Sequence, residues 1–270
     1  MRGFFVGSKK SEGQVKTTLR ITAIAALLAG ASLAEAAVTA GELATLEADA
    51  WRARMGFHLL SIRGDNPDDR EALRILLAEG DQRLNEMVKE AEPGNEAGIN
   101  ALNEAWATLS ERALDNPLAS LGYADYGAMS EMNTTTLDVV ELAESTRDQQ
   151  TSAYLDIAEL SVAMQRLASE YLALAAFPSA GLPTGTGLKP MDFAIESKGI
   201  DDRLKALNTQ YAADTQASDV LDFVNQRWAF IRSTIPKMND EASNKVPYLF
   251  YRYANQVAER IEELVEASKG

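Results

Sequence analysis

At 270 residues the chain can bury a core without disulfides or metals, and its 46% hydrophobic and 24% charged residues are those of a globular protein. The absence of cysteine excludes disulfides, thiolate metal sites and a cysteine nucleophile, and a single histidine excludes di-iron and haem ligand sets that need paired histidines or Cys-x-x-Cys-His. A formal charge of −14 repels nucleic acid and anionic membrane, which makes both poor partners.

Lys9, Lys10, Lys16 and Arg20 precede an uncharged run from Ile21 to Ala34, followed by the small-residue site Ala34-Glu35-Ala36. This is the pattern of an export signal. It predicts residues 1–36 as a signal peptide cleaved after Ala36, a periplasmic or secreted protein, and no membrane association after cleavage. The apolar run falls short of the about 20 residues that a spanning helix needs. Residues 1–36 hold five basic and two acidic side chains, which leaves 21 and 38 in the remainder and a net charge of −17.

From Thr39 to about Arg63, the apolar positions Leu43, Leu46, Ala50, Ala53, Phe57 and Leu60 recur at spacings of three and four, the mark of a helix with one buried face. Gly64-Asp65-Asn66-Pro67 breaks it, with Asn66 as N-cap and Pro67 as first residue of a second helix. Leu73, Leu77, Leu84, Met87 and Ala91 carry that helix to the break at Glu92-Pro93-Gly94-Asn95. A third helix, near Asn95–Leu114, places Ile99, Leu102, Trp106, Leu109 and Ala113 on one face. A fourth starts between Ser120 and Tyr126 and is expected to run, bent or interrupted near Asn133–Thr136, into the segment Ala158–Leu172, joining two halves as one long element.

Phe177–Gly199 reads as a long loop with three prolines, a connection that is either functional or merely tolerated. Beyond it Leu204, Leu207 and Tyr211 mark a helix, and Ser218 reads as the N-cap of another, with Val220, Val224, Trp228, Ile231 and Ile235 as its stripe. A last helix begins at about Pro247 and carries Leu249, Tyr253, Val257, Ile261 and Leu264. Trp106 and Trp228 read as core, and Glu259 with Glu262-Glu263 as a solvated face. The fold class is therefore all-α, built of up-down helical bundles.

An internal repeat is visible. Asn103-Glu104-Ala105-Trp106 echoes Asn225-Gln226-Arg227-Trp228, Arg83-Leu84 echoes Arg203-Leu204, and Arg54-Met55 matches Arg166-Leu167. Two repeated units of roughly four helices, 37–145 and 146–270, are the economical reading.

Ala163-Met164-Gln165-Arg166-Leu167-Ala168-Ser169 resembles the helix motif, roughly Gly-Arg-Gln-Arg-Met-Leu-Ser-Gln-Arg, of the PilJ-type N-terminal domain of type IV pili chemotaxis transducers, which is related to periplasmic nitrate/nitrite sensors. Leu204, Leu207 and Trp228 are similar to the helices that follow it in that family. Arg52-Ala53-Arg54-Met55, Leu84 and Trp106 form a fainter first copy. The chain departs from the motif at Tyr171 and Leu59, which stand where its last arginine would be, and at Gly56-Phe57-His58, which replaces Leu-Ser-Gln. The family domain feeds a signalling module, so a sensor of this kind lacking one would report through a protein partner.

The resemblance implies a small anionic ligand, an oxyanion such as nitrate, held near Arg54, Gln165, Arg166 and Ser169. The residues add a physical reason, because a guanidinium at a bundle interface offers a fork of donors suited to an oxyanion. Arg166 can pair with Glu170 one turn on, whereas Arg54 has Ala50, Trp51, Phe57 and His58 at three and four positions and no acid. Arg54 is therefore expected to be the unneutralised cation. No metal or cofactor is expected, and with no Gly-x-Ser-x-Gly elbow or comparable setting, neither is an enzyme. The reading is a periplasmic ligand-binding or sensory-accessory protein; the alternative is a cell-envelope interaction protein that binds another helical protein.

Overall fold

The computed structural model describes residues 37–121, 125–147, 150–176, 188, 191–235 and 246–269. The expected signal peptide and most of the proline-rich stretch, 177–187 and 189–190, lie outside them. The described residues are helical and contain no strand. In chain order the helices are α1 (Ala40–Arg63), α2 (Pro67–Glu90), α3 (Glu96–Leu114), α4 (Pro117–Leu121), α5 (Tyr126–Arg147), α6 (Leu155–Ala176), α7 (Phe193–Gln210), α8 (Thr215–Thr234) and α9 (Pro247–Ala267). None of them is long and apolar enough to cross a membrane.

Local chemistry sets the ends. Thr39 caps α1 through a full capping box with Glu42, and Gly64 ends it in the left-handed region at φ 66°. Asn66 accepts from Asp68 N and Asp69 N ahead of Pro67. Asp192 caps α7 by accepting from Ala194 N and Ile195 N, and Asp214 caps α8 by accepting from Ala217 N.

Five features differ from the sequence reading. The cap of α8 is Asp214 rather than Ser218, so the helix gains its first turn from a stretch with no apolar periodicity. Phe193–Gly199, read as loop, is helix, because Asp192 starts α7 early and Phe193 is buried. A short α4 precedes α5. The α5 helix runs through Asn133–Thr136 without interruption, since the Thr135 and Thr136 hydroxyls bond back to Met132 O. It stops at Arg147 rather than continuing into α6, and Tyr154, with φ 58°, precedes the new helix.

Residues 37–270 form one compact unit. Within it, α1, α2, α3 and α5 pack in turn around one hydrophobic cluster that includes Leu43, Leu60, Leu84, Trp106 and Val139. Helices α6, α7, α8 and α9 pack in turn around a second, with Leu160, Leu167, Leu204, Trp228 and Ile261. The α1 helix belongs to both. It packs most extensively on α6, gives Ala44, Met55 and Leu59 to the second cluster, and is buried at every residue from Ala40 to Leu60. Trp106 and Trp228 are both core, the latter donating its indole N–H to Asp201 at 2.7 Å.

Packing between α2 and α3 depends on one glycine. A Cβ at Gly80 would stand 2.0 Å from the buried Trp106 ring. Gly80→Ala gains about 1 kcal/mol of helix propensity but must displace a fully buried indole, at about 1–3 kcal/mol or more. The variant is therefore expected to unfold at lower urea concentration with an unchanged slope; an equal or higher midpoint would contradict the packing described.

Candidate functional site

Between Ala40 and Leu60 the buried α1 helix carries five charged side chains, and groups elsewhere in the chain help to answer each. Glu42 closes the capping box and meets Lys269. Glu47 pairs with Arg147 of α5 at 2.9 Å. Asp49 and Arg52 pair at 2.8 Å and join Arg83 of α2 with Glu262 of α9, while Arg52 Nε donates to Asn255 Oδ1 at 2.7 Å. Glu262, read as part of a solvated face, is thus one of the anions that hold α9 to α1 and α2.

Arg54 is the fifth. It is fully buried, and its Nε donates to Asn133 Oδ1 of α5 at 2.6 Å while Nη1 donates to Ser169 Oγ of α6 at 2.8 Å. Glu170 Oε1 lies 3.5 Å from the same Nη1, with both side chains no more than 2% exposed. The expected free cation at Arg54 is therefore neutralised, by an acid that α6 supplies across the helix interface. Burial still pulls the Arg54 pKa below its ordinary value, with Glu170 opposing. His58, one turn on, is buried with neither ring nitrogen hydrogen-bonded, and burial together with Arg54 holds its pKa well below normal, so the ring is neutral.

Of the four residues expected to form a site, the fold brings only Arg54 and Ser169 together. Gln165 donates Nε2 to Ala254 O of α9 at 2.9 Å and serves the α6–α9 contact. Arg166 turns the other way. Glu170, its expected partner, faces Arg54 instead, and among the described residues Arg166 makes no ion pair. It lines a cleft of about 530 Å³ between α1, α5, α6 and α7.

That cleft gathers charged side chains from four helices. From α1 come Glu47 and Trp51, and from α5 Glu141, Glu144 and Arg147, above Leu137 and Val140. The α6 helix adds Glu159, Val162 and Arg166, and α7 adds Glu196 and Arg203. Each set recurs at three, four or seven residues, the spacing of one helix face. The sequence reading missed all of these but Arg166. The available signal was the row Leu137, Val140, Glu141, Glu144, Arg147, in which charge and apolar surface share one stripe.

At the floor, Glu47 is 3% exposed, and burial raises its carboxyl pKa to about 7, with Arg147 opposing and Glu144 and Glu159 adding to the rise. Trp51 is 2% exposed, and its indole N–H has no hydrogen-bond acceptor. Among the described residues no group of three or more His, Asp or Glu is placed to hold a metal ion. Comparison with known proteins finds no family model, no curated protein and no solved structure that matches the chain.

The Glu47 geometry has a pH signature. Its pKa is raised on folding from 4.5 to about 7, so between those values the folded chain holds a proton that the unfolded chain has lost. Its contribution to stability is present below pH 4.5 and lost as pH rises through about 7. Between pH 5 and pH 8 the wild type should lose about 2–3 kcal/mol more unfolding free energy than Glu47→Gln, which cannot titrate. Parallel pH profiles for the two proteins in chemical denaturation would show that Glu47 is not buried as described.

Proposed function

We propose that this is a non-enzymatic ligand-binding or sensory-accessory protein of the periplasm that binds a small molecule in the cleft between α1, α5, α6 and α7. The observation that carries the reading is the position of Arg166 and Arg203. Both arginines line a concave site, Arg166 half-buried and Arg203 exposed, and neither is ion-paired among the described residues. A volume of about 530 Å³ suits a small ligand, since such sites span roughly 300–1,000 Å³. The anionic group suggested by the PilJ-like motif is assigned to these two arginines, because Arg54 already has its anion. Export and a signalling partner remain part of the proposal, on the sequence pattern of residues 1–36 and on the family resemblance.

A second reading, an interaction protein of the cell envelope, is favoured by a different feature. Ile75 of α2 and Tyr248 of α9 are 51% and 48% exposed on either side of a groove of about 490 Å³ edged by Glu79 and Glu259. Apolar surface rimmed by charge suits a partner helix. A stoichiometric partner recovered from periplasm, with no response to small molecules, would favour this reading.

A thermal-shift screen of the full chain with nitrate, nitrite, acetate and other small metabolites tests the first reading. A ligand at 100 times its Kd should add about 2.7 kcal/mol of stability, and Arg166→Ala should remove the response while leaving the fold intact by circular dichroism. A shift unaltered in Arg166→Ala, or no shift with any compound, would overturn the assignment of the cleft.

A further inference from the structure

The cleft is not built for a bare anion. Glu47 and Arg147 satisfy one another at 2.9 Å, and the other charged residues of the lining are Arg166, Arg203, Glu141, Glu144, Glu159 and Glu196. Two cations stand against four carboxylates, on a chain that is itself strongly acidic. A simple oxyanion would meet two guanidinium groups and be repelled by twice as many negative charges. A simple amine would gain from the carboxylates but leave both arginines unanswered. A ligand with a single anionic group and two separated cationic groups answers both sets and brings the lining close to neutrality.

The rest of the wall agrees with this. Leu137, Val140 and Val162 give the cleft apolar surface between its charged groups, suited to a short alkyl chain. Trp51 also lines the cleft, and its buried indole N–H lacks an acceptor. The guanidinium fork matches a carboxylate in two-pronged fashion, while ammonium groups are the complement of glutamate.

We propose that the cleft binds a basic amino acid such as L-lysine or L-arginine, its carboxylate held by Arg166 and Arg203 and its cationic groups by the glutamates of α5, α6 and α7. This rests on the cleft being the ligand site, as proposed above, and names its ligand class.

Titration calorimetry on the full chain tests it with L-lysine and L-arginine, two truncated analogues, and nitrate and acetate alongside. Cadaverine lacks the carboxylate and ε-aminocaproate lacks the α-ammonium, so each should bind at least about tenfold more weakly than L-lysine. Arg166→Ala should weaken L-lysine by about tenfold or more and leave cadaverine unchanged, whereas Glu144→Gln should weaken both. Cadaverine binding as tightly as L-lysine would overturn the inference, as would no binding of either amino acid. If nitrate or acetate then binds in an Arg166-dependent way, the cleft survives as the ligand site and only the ligand class fails. If no compound of either class binds, the site assignment fails with it.

Discussion

A helix buried on all sides is ordinarily apolar on all sides, and α1 is not. From Ala40 to Leu60 it is enclosed by its neighbours while carrying Glu42, Glu47, Asp49, Arg52 and Arg54. Removing so many charges from water costs several kcal/mol each unless a partner of opposite sign is held in good geometry. Four of the other helices answer most of them. The α5 helix supplies Arg147 and Asn133, α2 supplies Arg83, α6 supplies Ser169 and Glu170, and α9 supplies Asn255 and Glu262. Hydrophobic burial drives these helices onto α1. The charges determine in which register they arrive, because a slip of one turn would strand an ion in the core.

The same constraint divides the arginines by role. Arg54 and Arg52 are spent inside the structure, where Arg54 Nε and Nη1 and Arg52 Nε donate to oxygen atoms of neighbouring helices. Arg166, in the position that the internal repeat matches to Arg54, lies on the face of α6 away from that network and opens onto the cleft. One helix thus presents Ser169 and Glu170 to the core and Arg166 to the cleft. The cleft adjoins α1 through Glu47 and Trp51, so it borders the element that both hydrophobic clusters share.

Much of this fold was legible in the sequence, because apolar spacing of three and four is a local signal. The stripes Ile99, Leu102, Trp106 and Val220, Val224, Trp228 lie in the core where periodicity put them, and Asn66 before Pro67 caps α2 as its chemistry predicts. What misled was side-chain chemistry with two plausible local outcomes. Ser218 and Asp214 are both of N-cap type, and Asp214 holds the cap, its carboxylate accepting from Ala217 N and from the Tyr154 hydroxyl. The candidate site was harder to read for a related reason. Arg54 looked free because its anion lies 116 positions away in sequence, on α6, and spacing along one helix cannot reveal a partner on another. Arg166 was recognised, but its surroundings were not, since the cleft is assembled from four helices whose juxtaposition no single stripe encodes.

The claim that cross-helix charge pairing organises the structure is tested most directly at Arg54 and Glu170, by a double-mutant cycle in chemical denaturation. Arg54→Met or Glu170→Met alone leaves an unpaired charge in a sealed interface and should each cost about 3–5 kcal/mol. The account predicts that the doubly substituted protein is more stable than either single variant, because the two stranded charges are removed together. Losses that simply add, leaving the double variant the least stable of the three, would contradict it.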